Sequence, residues 1–246
     1  MNIRLSIKVT EQQLLAITVG CAIILLLIDN ALFHFQTLIP EKIHVLFDIT
    51  LEGNLPTWYS VMLAWMAAIM CAFITAHYYQ CQKKLMWLSW LFISLFFAYL
   101  SVDDASQFHE RIATVWAAQH TSGASGGGMV SETVKGFDSY HWQLLFLPIF
   151  GLFGLYMAVI FYREVTGRAR VYLAMGLASF VVAVLLDYAE GVDAFYSNMS
   201  EAMHFSIYEI EHIFRALEEF IEMVGLSFFL LGFLLHYHRL TSADST

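Results

Sequence analysis

Charge is scarce in this sequence. Asp, Glu, Lys and Arg make up 13% of its 246 residues, against 59% hydrophobic residues, and its mean hydropathy is +0.64. So little charge excludes an ordinary soluble domain and indicates a helical membrane protein. Lys and Arg number 12 and form no basic patch, which excludes nucleic acid as a partner. The three cysteines, Cys21, Cys71 and Cys81, lie inside apolar segments or at a membrane edge. They show neither metal-ligand spacing nor a disulfide framework. Proline occurs only three times (Pro40, Pro56, Pro148), so the apolar runs are long.

Those runs predict an all-α fold: a polytopic transmembrane helix bundle of six spans with both termini cytoplasmic. The spans fall near residues 12–39, 57–80, 85–117, 141–162, 171–192 and 206–238, within one transmembrane domain over 1–246. The first is too long for a signal-peptide core and lacks a small-residue cleavage site, so it reads as a retained span. Residues 40–56, bounded by prolines, read as a short interfacial helix. Residues 118–140 are Gly/Ser-rich and read as a flexible outer loop. Residues 241–246 read as an unstructured tail. No internal repeat is visible.

Six spans put both ends of the chain on one side. That side holds eight basic residues (Arg4, Lys8, Lys83, Lys84, Arg163, Arg168, Arg170, Arg239) against Glu11, Glu164 and Asp244. The other side holds four basic residues and eighteen acids. The positive-inside rule therefore predicts cytoplasmic termini. Short loops suit a bacterial inner membrane, while Asn198-Met-Ser is a formal glycosylation acceptor that keeps a eukaryotic membrane open.

The charges that remain are concentrated. Glu211, Arg215, Glu218 and Glu222 form one stripe on the last helix. A charged side chain at mid-bilayer costs about 2.5–3.5 kcal/mol on insertion scales, so such acids face a partner or a water-filled cavity. Counting from the inner-side charges at 1.5 Å per residue, Asp29, Asp103, Asp187 and Glu222 all lie about 25–29 Å up, near the outer edge of the hydrocarbon. Beyond that level come Asp104, Gln107, His109, Glu110 and Arg111 on the third span. The fifth adds Glu190 and Asp193, and the sixth adds Glu219, Glu218, Arg215, His212 and Glu211. Within the third helix Asp103, Gln107 and Glu110 share a face, and Asp104, Gln107 and Arg111 share the neighbouring one.

Several helices converging oxygens and imidazoles on one point is how bundles hold metals. The expected ligands are Asp104, His109, Asp187, Glu218, Glu222 and His212, with His141 at a similar height. Glu219 and Glu110 are the expected catalytic carboxylates, one acting as general base on a metal-bound water. The expected cofactor is a divalent metal, zinc or iron. Arg111 and Arg215 are expected in structural ion pairs. The competing reading is plain: acids near an interface are solvated without function, and it applies first to Asp29, Asp193, Glu201 and Glu209. Glu209-x-x-His212 has the spacing of one half of a di-iron motif, but a single copy of so short a pattern carries little.

The stretch Ser101-Val-Asp-Asp-Ala-Ser-Gln-Phe-His-Glu resembles a pattern of uncharacterised bacterial multi-pass membrane proteins. In these, an aliphatic span ends in S-x-D-[D/E]-x4-H-E, and a later span carries acids ahead of a glycine, here Glu218, Glu219, Glu222 and Gly225. The resemblance implies no activity, only that the two motifs belong together. The zinc-dependent lipid hydrolases of the ceramidase and progestin-receptor type are expected to show Ser-x3-His and a late His-x3-His, and this sequence has neither.

Three functions follow as expectations. The first is a membrane metalloprotein, with enzymatic action on a lipid or other membrane-embedded substrate at the outer leaflet. The second is a proton- or cation-coupled transporter, disfavoured because the inner halves of the spans are almost free of charge. The third is a non-catalytic subunit whose Arg–carboxylate network docks a second copy or a membrane-protein partner.

Overall fold

The computed structural model describes residues 10–121, 132–134, 136–137 and 139–243. Arg4, Lys8, Asp244 and most of the Gly/Ser-rich stretch lie outside the described residues. Helix starts are written in the local sequence. Thr10 caps α1 (Glu11–His34) in a capping box with Gln13. Asn54 accepts from the Thr57 amide and, with Pro56 in the first turn, starts α3 (Leu55–Gln80). Between them lies the short α2 (Glu41–Phe47). Then follow α4 (Lys84–Ser106), α5 (Phe108–Thr121), α6 (His141–Glu164), α7 (Arg168–Glu190), α8 (Asp193–Met203) and α9 (Ile207–Ala243). Among the described residues there is no strand, and six helices are long and apolar enough to cross a membrane: α1, α3, α4, α6, α7 and α9.

Two boundaries depart from the sequence reading. The first span ends at His34 rather than near residue 39, and α9 runs through Ala243, into what read as a tail. A larger difference falls in the third span, which read as continuous to residue 117. The chain breaks at Gln107, which sits in the left-handed region (φ 51°, ψ 40°), and α5 sets off in a new direction. A non-glycine residue there costs about 1–2 kcal/mol. The Asp103 carboxylate offsets this by accepting from the His109 amide at 2.9 Å, at the start of α5.

The long helix α9 is central and packs against α7, α3 and α1, while α3 pairs with α4. Lipid gives helices no hydrophobic reason to associate, so packing and polar bonds hold them. Phe97, Phe229 and Phe233 are fully buried and meet edge-to-face or stacked at 5.0–5.9 Å. Ser94 and Ser101 of α4 donate to the α3 carbonyls of Ala68 (2.8 Å) and Val61 (3.1 Å). At Gly225 of α9 an added Cβ would lie 2.9 Å from the Phe180 ring and 3.0 Å from Ser179 Cβ, so this glycine lets α7 approach closely. The ends of α4, α6, α7 and α9 thereby meet at one end of the bundle.

Candidate functional site: an acidic cavity at one end of the bundle

That end holds a cavity of about 520 Å³, lined by Glu52, Glu110, Asp187, Glu190, Glu218 and Glu219 together with Arg215 and His141. It continues into a narrower space of about 150 Å³, which adds Asp103, Asp104, His109 and Glu222. Nine carboxyl side chains from five elements therefore face one connected space. Arg215, His109 and His141 are the basic groups lining it. Like charges so crowded against apolar walls require countercharge, either bound cations or protons.

The His109 side chain is held from behind. Its Nδ1 lies 2.6 Å from Asp103 Oδ2, while Asp103 Oδ1 takes the His109 amide and, at 3.2 Å, the Tyr99 hydroxyl. With Nδ1–H donated to Asp103, Nε2 carries the free lone pair. A carboxylate behind a histidine in this way fixes its tautomer and raises its basicity toward a metal. Burial disfavours the charged ring, but the hydrogen bond and charge of Asp103 outweigh it, and the His109 pKa is raised. The ring also packs edge-on against Trp142, centroids 4.9 Å apart. This arrangement depends on the break at Gln107, because six residues along an unbroken helix His109 would point away from Asp103.

On α7, Asp187 Oδ2 accepts from Gln143 Nε2 at 2.7 Å. Glu190 is 5% exposed and takes the Tyr196 hydroxyl at 3.0 Å, with Arg215 Nε 3.7 Å away. Arg215 also meets Glu211 at 2.9 Å. Glycine at 191 is a steric necessity, since a Cβ would sit 2.1 Å from Ser139 Oγ. Ser139 in turn donates to the Tyr188 carbonyl at 3.0 Å, which fixes the start of α6 against the end of α7. Glu52 sits at the mouth. Desolvation there raises its carboxyl first, the charges of Asp104 and Glu110 raise it further, and its pKa reaches about 7. Among the described residues, Asp104 Oδ2, Gln143 Oε1 and Glu190 Oε1 are buried without a hydrogen-bond partner.

The structure thus gathers Asp104, His109, Glu110, Asp187, Glu218, Glu219 and Glu222 around one space. It sets two predicted residues elsewhere. Arg111 lies on the exposed face of α5, outside the cavity lining, because the break at Gln107 rotates α5 away from the register of α4. His212 turns to α1: its Nε2 lies 3.0 Å from Asp29 Oδ2, and its ring stacks on Phe33 at 3.7 Å. Asp29, expected to be solvated, is 1% exposed and also accepts from the Ile49 amide at 3.1 Å. Asp29, Asp48 and His212 are the one set of three among the described residues whose ligand atoms lie within 4.8 Å of one another. Asp29 ties α1 to α9 through His212 and to the turn after α2 through the Ile49 amide, and within that turn Asp48 Oδ1 takes the Thr50 amide and hydroxyl at 3.0 and 2.7 Å. The sequence reading missed Glu52, Gln143 and Asp48. For Glu52 a signal existed, an acid two residues before the Asn54 cap of a span that starts at the level of the other acids.

Residues 14–237 match the family described as Domain of unknown function (DUF8692). The chain belongs to that family. Comparison with curated proteins and with solved structures finds no match. The family carries no activity with it, and what the site does has to be argued from its chemistry.

Proposed function

We propose that this protein is an integral membrane metalloprotein that holds a divalent cation, zinc or iron, in the acidic cavity and uses it on a membrane-embedded substrate. The observation that carries the reading is nine carboxyl groups on one connected space, beside an imidazole already oriented by Asp103. His109 Nε2, Asp104, Asp187, Glu218 and Glu222 are the donors. This mixed nitrogen and oxygen set suits zinc or iron. The cavity donors do not form as tight a set as Asp29, Asp48 and His212, so binding draws them inward by side-chain rotation. A bound cation supplies Lewis acidity and an acidified water. Glu219 or Glu110 is the general base. Cytoplasmic termini place this cavity at the outer leaflet of a plasma membrane, the bacterial inner membrane suiting the short loops.

Elemental analysis of detergent-purified protein tests the reading, beside Glu222→Gln and Asp104→Asn. One or two zinc or iron atoms per chain, lost in both variants, is the expected result. No stoichiometric metal in the wild-type protein, or full metal in both variants, overturns it.

One observation favours a second reading, a proton- or cation-coupled carrier. His236 is 2% exposed in the opposite half of α9, stacked on Trp90 at 5.1 Å. Both its ring nitrogens and Trp90 Nε1 are without a hydrogen-bond partner among the described residues. An inner polar station of this kind is what a path across the membrane needs. Proton or cation flux in proteoliposomes, abolished by His236→Phe, is its signature.

A further inference from the structure

The tightest set of ligand-type side chains among the described residues lies outside the acidic cavity. Asp29 of α1, Asp48 at the end of α2 and His212 of α9 each bring one donor atom within 4.8 Å of the other two. They are 1%, 7% and 7% exposed, and none of them lines the cavity. Three elements well separated in sequence build the set, so it is not a by-product of spacing along one helix.

The two carboxylates are held alike. Asp29 Oδ1 accepts from the Ile49 amide at 3.1 Å, and Asp48 Oδ1 accepts from the Thr50 amide at 3.0 Å. Backbone amides thus fix one oxygen of each, as outer hydrogen bonds commonly fix ligating carboxylates. The second oxygens turn to imidazoles. Asp29 Oδ2 lies 3.0 Å from His212 Nε2. Asp48 Oδ2 lies 3.7 Å from His44 Nδ1, beyond hydrogen-bond length. His44 Nε2 is itself buried without a hydrogen-bond partner among the described residues. The Phe33 ring, stacked on His212 at 3.7 Å, covers one side of the set.

A hydrogen-bonded pair is the plainer account, and it serves for Asp29 and His212. It does not serve for Asp48, whose Oδ2 His44 stands too far away to satisfy. Two carboxylates this deep beside one close imidazole leave negative charge that burial makes costly. A divalent cation offsets it. With zinc–ligand bonds of about 2.0–2.2 Å, donors around a tetrahedral zinc stand about 3.3–3.5 Å apart. The Asp29–His212 contact is already near that spacing, and side-chain rotation closes the rest. Nitrogen donors count against calcium and magnesium, which take oxygen. A closed site of four protein donors is the structural zinc type.

We propose that Asp29, Asp48 and His212, with His44 as fourth donor, bind a structural zinc ion that pins α1 and the α2–α3 loop to α9. This zinc is additional to any metal of the acidic cavity and does not rest on the function proposed above. The two sites still communicate through the chain. Glu52 follows Asp48 by four residues, so the zinc also sets the loop that brings Glu52 to the cavity mouth.

The test uses the full chain in detergent, carrying Glu222→Gln and Asp104→Asn together so that cavity metal is not counted. Elemental analysis should find one zinc per chain in this background and none once Asp48→Asn is added. Asparagine keeps an oxygen for the Thr50 amide and hydroxyl, so the turn is preserved while the charge is lost. EDTA should lower the melting temperature of the background protein and leave that of the Asp48→Asn protein unmoved. Should the asparagine variant fail to assemble, Asp48→Cys supplies an anionic donor in its place. Loaded with cobalt(II), it should show a thiolate-to-cobalt charge-transfer absorption that the background protein, with its three native cysteines, does not. No zinc in the background protein overturns the site, as does equal zinc with and without Asp48→Asn, or a cobalt-loaded Asp48→Cys protein without that absorption. Equal zinc in wild type and background, with one atom lost on Asp48→Asn, supports this site and counts against the cavity metal alone. Zinc present in wild type and wholly lost in the background does the reverse.

Discussion

Glu52, at the mouth of the cavity, is a residue whose ionisation its surroundings alter. Its pKa rises from 4.5 to about 7 because desolvation and the charges of Asp104 and Glu110 oppose its ionisation. The folded chain therefore binds the Glu52 proton more tightly than the unfolded chain does. The stability linked to that proton is fully present below 4.5 and is lost as pH rises through about 7. Glu52→Gln removes the dependence. In metal-free protein, the melting temperature of the variant relative to wild type should rise between pH 4.5 and pH 8. A difference that stays constant across that range would mean that Glu52 titrates as an ordinary exposed carboxylate. Arg215 shows the complementary effect of position. It lies between Glu190 and Glu211, so it neutralises the rim and leaves the deeper acids without a guanidinium.

Among the elements, the broken helix decides how the site is built. Gln107 in the left-handed region is what returns His109 to Asp103. A β-branched residue cannot take that conformation without strain, whereas glycine takes it freely. Gln107→Val should destabilise the protein by about 1–2 kcal/mol, and Gln107→Gly should leave thermal stability close to wild type. Equal tolerance of both in thermal unfolding would mean that α4 and α5 form one straight helix. Here the sequence was least legible. Glutamine gives no turn signal, so the apolar run and its acids read as one span, and the turning of Arg111 away from the cavity lining was not legible. The level of the acids was legible, because rise per residue is fixed: Asp103, Asp187 and Glu222 do line one space. Their azimuth was not legible. Asp29 has the same height, yet α1 presents it to His212, and which helices become neighbours is a tertiary fact that a single sequence's periodicity does not contain. Glu52 was missed for a similar reason, since it reaches the cavity from a loop that read only as an interfacial segment.

At the scale of the whole molecule, the two ends differ in kind. One end carries Glu11 paired with Arg168, and Tyr78 Oη donating to Glu164 at 3.4 Å, beside the lysines of the α3–α4 turn. The other carries the acidic cavity. Eight of the twelve Lys and Arg residues belong to the first end by sequence, and insertion follows such a bias because positive flanks are retained in the cytoplasm. The cavity should then open to the outside, where a lipid of the outer leaflet and an external cation both reach it. Two cysteine reporters decide this. Cys81 is exposed in the turn between α3 and α4, and Ser197 is exposed on α8 near the cavity end. With Cys21 and Cys71 changed to Ala, Cys81 should react with a membrane-impermeant maleimide only after the cells are opened. With all three native cysteines changed to Ala, Ser197→Cys should react in intact cells. The reverse pattern would place the acids in the cytoplasm and would redirect the search for a substrate to the inner leaflet. Labelling of both reporters in intact cells would mean that the segments between them do not cross the membrane an odd number of times, which would contradict the six-span topology itself.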